Sequence, residues 1–179
     1  MLQGLLLVLA LWASAVDSLR AQGVELATLK AARHEGRLEL EFATRITLPK
    51  AVEDALQRGV PVYFAARAEV YRSRWYWRDE RVVRASRSWR VAYQPLTGSW
   101  RVGTGGLHQS FNSLDEALAV ISRSTGWALT ELAQLDADSR HYVEFSYRLD
   151  TSQLPSPMQI GFGGQGDWAI GVERTLRLD

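Results

Sequence analysis

Two runs of alternating side chains constrain this chain more than any other feature. In residues 62–71, Val62, Phe64, Ala66, Ala68 and Val70 alternate with Tyr63, Ala65, Arg67, Glu69 and Tyr71. Successive side chains of a strand point to opposite faces, so this run is a strand with one apolar and one mixed face. In the second run Val83, Ala85, Trp89, Val91 and Tyr93 share a face on which Arg87 is the one misfit. Arg84, Ser86, Ser88 and Arg90 share the other. A slip of one residue would bury these arginines, so the register is strongly specified. The two runs make a long β-hairpin, with Arg78-Asp79-Glu80 as the short turn between its arms. Pro95-Leu96-Thr97-Gly98 makes the next turn, because Pro pre-sets φ and Gly accepts φ > 0. Residues 99–104 then return as a third strand.

The hairpin tip reads Tyr71-Arg72-Ser73-Arg74-Trp75-Tyr76-Trp77-Arg78-Asp79-Glu80-Arg81. Arg72, Arg74, Trp75, Trp77, Arg78 and Arg81 are the candidate binding residues, since Trp, Tyr and Arg are the usual interface anchors. The competing reading packs the aromatics across the hairpin, with solvated arginines stacked on them.

The other segments follow the same logic. Residues 23–33 and 37–48 form a hairpin around His34-Glu35-Gly36. Pro49 opens a helix near 50–58 whose apolar face is Val52, Ala55 and Leu56, and Gly59 stops it. Ser113-Leu114-Asp115-Glu116 is a capping box that starts a helix near 114–124, with Leu114, Ala117, Leu118 and Ile121 on one stripe. Residues 127–134 are read as extended and residues 136–139 as a turn. Residues 140–149 form a strand with Val143, Phe145, Tyr147 and Leu149 on its apolar side. Residues 151–157 are a loop, residues 158–162 a short pairing segment, and Gly161, Gly163, Gly164 and Gly166 a flexible turn. Residues 168–178 are the last strand. The expected fold is mainly β, at the border of α+β. It is an antiparallel meander of hairpins folded as a two-layer sandwich, with the two short helices on its edges or ends.

The first residues differ from the rest. Leu5-Leu6-Leu7-Val8-Leu9-Ala10-Leu11-Trp12 followed by Ala13-Ser14-Ala15 reads as the apolar core and cleavage site of an export signal. The run is far short of the roughly 20 residues of a membrane span. Residues 1–15 are therefore expected to be a signal peptide, with cleavage after Ala21 as the alternative. Met1-Leu2-Gln3-Gly4 lacks the usual Lys or Arg, and an uncleaved anchor is the main rival. Residues 23–179 then form one β-rich domain, and the expected location is periplasmic.

Composition removes several chemistries. The chain has no cysteine, which excludes disulfides, thiolate catalysis, zinc–thiolate sites and a lipid-bearing cysteine. Its net charge of +1 hides an asymmetry. Residues 60–101 carry nine arginines against Glu69, Asp79 and Glu80, a net +6, whereas residues 102–179 sum to −5. The basic hairpin either meets an anionic partner or pairs with acids of its own fold.

Sequence motifs assign no reaction. Gly103-Thr104-Gly105-Gly106 lacks the Lys-Ser/Thr of a phosphate loop, and Gly161-Phe162-Gly163-Gly164 precedes no helix, so both are turns. His34, His108 and His141 have no metal-ligand spacing, and Asp136 and Asp138 lack the Gly and bidentate Glu of a calcium loop. No cofactor and no metal is expected. Export argues against nucleic acid as a partner.

The order of several motifs is similar to a known family. Tyr71-Arg72-Ser73-Arg74-Trp75-Tyr76-Trp77 is followed by Trp89-Arg90-Val91-Ala92-Tyr93-Gln94-Pro95-Leu96-Thr97-Gly98, then by Gln109-Ser110-Phe111 and Leu114-Asp115-Glu116-Ala117-Leu118. Leu149-Asp150-Thr151-Ser152-Gln153-Leu154-Pro155-Ser156-Pro157-Met158-Gln159 and Asp167-Trp168 complete the set. With the export signal, this resembles the proteobacterial exported family called domain of unknown function 4390. The end departs from the pattern, where Gly171-Val172-Glu173 replaces a Ser- and Trp-containing tail. The resemblance brings no catalytic residues. Family members often lie beside a gene for a sensor histidine kinase of nitrogen regulation, which implies a link to envelope sensing. Two functions are carried forward. The first is a non-enzymatic periplasmic module that binds an envelope protein or an anionic envelope component through the basic aromatic hairpin. The alternative is a periplasmic hydrolase whose composite site would need His108, His141 and C-terminal acids to converge.

Overall fold

The computed structural model describes residues 23–154 and 166–178. The expected signal peptide, residues 158–162 and the turn built on Gly161, Gly163 and Gly164 lie outside them.

Alternation becomes sheet as expected. The strands are β1 (Gly23–His34), β2 (Arg37–Thr47), β3 (Val62–Arg72), β4 (Glu80–Gln94), β5 (Ser99–Thr104), β6 (Leu107–Phe111), β7 (Arg123–Glu131), β8 (His141–Leu149) and β9 (Gly171–Leu178). They form two antiparallel sheets, ordered β1-β2-β7 and β6-β5-β4-β3-β8-β9. The sheets pack as a sandwich, and β1 lies against β9 where the two layers meet. The apolar faces named above are the buried ones: Phe64, Ala66, Ala68 and Val70 of β3 and Val143, Phe145, Tyr147 and Leu149 of β8 are all buried. Among the described residues no helix is long and apolar enough to cross a membrane.

Phe42 of β2 stands between the layers. Its ring centroid lies 6.3 Å from Trp127 in its own sheet and 5.0, 5.7 and 6.4 Å from Phe145, Tyr147 and Trp89 across the core. The misfit Arg87 is resolved here as well. Its guanidinium sits 5.2 Å from the Trp127 ring centroid and donates from Nη1 to Ser124 Oγ at 2.7 Å. Burial lowers the Arg87 pKa, so the ring and the hydroxyl replace part of its lost water.

The helices are α1 (Lys50–Gln57) and α2 (Leu114–Ile121). In α1 Val52, Ala55 and Leu56 are buried, the face expected from their spacing. Its end is a Schellman motif: Gly59 donates to Leu56 O at 2.8 Å and Val60 donates to Ala55 O at 3.0 Å. Gly59 has φ +84°, and a Cβ added there would meet nothing within 4 Å. Gly59→Ala should therefore cost about 1 kcal/mol from backbone conformation alone. Thermal unfolding should shift down by about 2–4 °C; an unchanged midpoint would show that this stop is dispensable. At α2, Ser113 Oγ accepts from the Glu116 N–H at 3.2 Å. Glu116 reaches back to the Asn112 N–H at 3.0 Å rather than to that of Ser113.

Three expectations change. First, α2 stops at Ile121 and β7 begins at Arg123, four residues before the expected extended stretch. The backbone is taken over by β2, where Thr44 donates to Ser122 O and Phe42 pairs with Ser124. Gly126, at φ +58°, sits in the resulting β-bulge. Second, β6 pairs with β5 through a tight turn at Gly105 and Gly106, both at positive φ. Residues 107–110 are all exposed, so no apolar alternation marked this edge strand. Third, the hairpin does not turn at residues 78–80. Arg72 pairs with Glu80, and residues 73–79 form a longer loop.

Candidate functional site: the hairpin tip and the end of the sandwich

The loop 73–79 projects from the end of the sandwich where β8 begins and β9 finishes. Its base is fixed by partners from two directions. Asp79 Oδ1 accepts from the Arg74 N–H at 3.0 Å, and Asp79 Oδ2 accepts from the Tyr142 hydroxyl at 2.8 Å. The Ser73 N–H donates to Arg140 O at 2.8 Å. The Arg74 N–H, followed by the Tyr142 hydroxyl, holds the Asp79 pKa below its ordinary value, so it stays a charged acceptor at neutral pH. The Tyr142 hydroxyl is pushed up to about 12, first by burial and then by Asp79, and stays protonated as a donor.

The aromatics on this base face outward. Trp75, Tyr76 and Trp77 are 94%, 68% and 73% exposed. Trp75 and Tyr76 meet edge to face, with centroids 5.3 Å apart. The expectation that these rings pack across the hairpin is overturned: the arms diverge into a loop, and among the described residues no facing strand receives them.

The structure separates the candidate arginines. Arg72 Nη1 lies 3.7 Å from Glu80 Oε2, and the Arg74 guanidinium also pairs with Glu80. Arg78 is exposed, and among the described residues no carboxylate pairs with it. Arg81 leaves the tip. A register shift opposite Val70 and Tyr71 leaves Val82 unpaired and brings Arg81 opposite Tyr71 on the outer face. There Arg81 Nη1 is 3.5 Å from Glu69 Oε2, and Arg84 Nε donates to Glu69 Oε1 at 2.6 Å. Arg72, Arg74, Arg81 and Arg84 thus pair with Glu69 and Glu80 of the same hairpin. Asp79 and Glu80 against Arg72, Arg74 and Arg78 leave the tip with a net charge of only +1.

The histidines do not converge. His108 is exposed on β6 and His141 is buried on β8, with β5, β4 and β3 between them. His34 is at the β1–β2 turn, 3.6 Å from Glu39. Asp136 closes its own turn by accepting from the Asp138 N–H at 3.2 Å and the Ser139 hydroxyl at 3.0 Å. Among the described residues no group of three or more His, Cys, Asp or Glu is placed to hold a metal.

Residues that sequence reasoning passed over are those that fix the tip. In the sequence Asp79 belongs to a stretch of turn composition, and Tyr142 is one position of an alternating strand. Nothing in the pattern links them, because their contact spans 63 residues.

Comparison with known proteins adds a family. The family model described as Domain of unknown function (DUF4390) matches residues 21–177. Neither the curated proteins nor the solved structures include a match.

Proposed function

The chain belongs to the DUF4390 family, and from its hairpin tip we propose that it is an exported, non-enzymatic interaction module of the bacterial envelope. The observation that carries this reading is the exposed Trp75-Tyr76-Trp77 cluster on a loop with a fixed base. Adjacent exposed aromatic rings are a cost in water and an asset in an interface. A loop held in place before binding also loses less conformational entropy when a partner arrives. The partner is an envelope protein with an apolar recess for the rings, and a sensor kinase is the candidate the family's resemblance supplies. Affinity comes from the aromatics, since Arg72 and Arg74 are already committed to Glu80.

A photoreactive side chain at position 76, introduced in the native host, tests the reading. It should yield one discrete envelope product. Trp75→Ala with Trp77→Ala should weaken capture at least ~30-fold while thermal stability is unchanged. Raising salt should matter much less than removing the rings. Undiminished capture by the folded double variant would end this reading. Fractionation with intact mass tests export separately: the expected product lacks the leader and is soluble in the periplasm, and a full-length membrane-bound product would mean an anchor.

A further inference from the structure

Below the tip, the end of the sandwich is open. A cavity of about 1220 Å³ is bounded there by the ends of β1 and β9, the start of β2 and residues 132–142. A second cavity of about 680 Å³ lies against Trp75 and Tyr76, and the two share Ser73, Asp136, Ser139 and Arg140. The larger volume exceeds the roughly 300–1,000 Å³ of ordinary small-molecule sites, so it has room for one. Its lining is two-sided. Leu38, Leu132, Leu135, Leu176 and Leu178 supply an aliphatic wall. Ser139, Arg140, His141 and Tyr142 supply a polar wall beneath the tip.

An unexplained pair stands beside the residues that the two cavities share. His141 is 8% exposed, and among the described residues its buried Nε2 has no hydrogen-bond partner. Among the same residues the buried Arg72 Nε has none either. These two residues are cross-strand neighbours in the β3–β8 register. A buried polar group left unpaired loses its water without replacement, so native proteins rarely keep one without a use. Here two stand side by side, one lining each cavity. Arg33, Arg140 and Arg177 line the larger cavity against one carboxylate, Asp136, which closes its own turn and also faces Arg72 and His141.

We propose that this end of the sandwich binds a single-chain anionic amphiphile, its aliphatic tail against Leu38, Leu132, Leu135 and Leu176 and its acidic head at His141, Arg72 and Arg140. The apolar wall accounts for the tail, and Arg140, which lines both cavities between Arg72 and His141, supplies the cationic donor for a carboxylate or phosphate head. The site is independent of partner binding by the tip.

Calorimetry on the purified full chain tests it, with dodecanoate below its micelle threshold as the probe. One dodecanoate should bind per chain, at least ~10-fold tighter than dodecyltrimethylammonium, which has the same tail and the opposite head. Acetate, the head alone, should give no measurable binding. Leu135→Asp, at a half-buried position, should weaken dodecanoate at least ~10-fold in a protein that still unfolds cooperatively. Arg140→Glu should erase the preference for the anionic head. Trp77→Ala should leave binding intact. No saturable heat with dodecanoate, equal affinity for both heads, an unaffected folded Leu135→Asp, or loss in Trp77→Ala would each overturn the proposal.

Discussion

Phe42→Ala is expected to cost about 3–5 kcal/mol of unfolding free energy. A domain of this size has roughly 5–15 kcal/mol in all, so the variant should sit near the edge of folding. The size follows from position. The ring is 1% exposed and meets partners in both layers, so its removal opens a void that neither sheet can close alone. A change on the surface gives the contrast. Leu107 is 79% exposed on the edge strand β6, and changes at such positions usually stay within about 0.5 kcal/mol. Urea unfolding checks it: the Phe42→Ala midpoint should fall with an unchanged slope. A loss below about 1 kcal/mol would mean that Trp89, Trp127, Phe145 and Tyr147 repack into the space.

Glu69→Gln is expected to cost about 1–3 kcal/mol at neutral pH, and the cost should disappear in acid. Glu69 lies on the outer face of the six-stranded sheet, with its side chain only 11% exposed. It accepts from the Tyr71 hydroxyl at 2.7 Å and from Arg84 Nε at 2.6 Å, and Arg81 stands 3.5 Å away. The Tyr71 hydrogen bond is the main reason that its pKa falls below the ordinary 4.5; Arg84 and Arg81 add to this and burial opposes it. A carboxylate with a depressed folded pKa contributes stability above its unfolded pKa, and that contribution is lost as pH falls through the folded value. The two proteins should therefore differ most near neutral pH. Their difference should shrink as pH drops below the ordinary 4.5 and vanish once pH has fallen through the lowered folded value. Asp79 and Asp136 also have depressed pKa values, but both proteins carry them, so they cancel in the difference. A gap that is the same at both ends of the range would show that Glu69 contributes through packing rather than charge.

Much of the architecture was legible because it is written in short-range pattern. Val62 to Val70, Val143 to Leu149 and Leu38 to Phe42 alternate, and the sheet period converts alternation into a buried face. Ser113 and Gly59 mark helix ends because capping is settled within a few residues. The misses share a cause. The edge strand β6 has no buried face, so the hydrophobic signal had nothing to report. The end of α2 was set by β2, a partner some 80 residues earlier in the chain. The tip was given a short turn because Arg78-Asp79-Glu80 has turn composition, yet Asp79 instead anchors a loop through Tyr142.

The candidate site was half legible. Trp75, Trp77 and the arginines beside them could be named from composition, and the loop does hold most of them together. Their charge could not be read that way. Summing residues 60–101 counted Arg81, Arg84 and Arg87 with the tip, whereas the β4 register sends the first two to Glu69 and the third onto Trp127.

By itself, then, the sequence determined the alternating strands, which of their faces are apolar and where the helices start, since these depend on neighbours a few positions away. The tertiary structure alone decided that three aromatic rings stand in water. It also decided that Arg72 and His141 stand side by side with buried nitrogens unpaired among the described residues, one lining each of two adjoining cavities. Those outcomes depend on which strand lies next to which and on which polar groups remain when pairing is complete, and no local pattern encodes either.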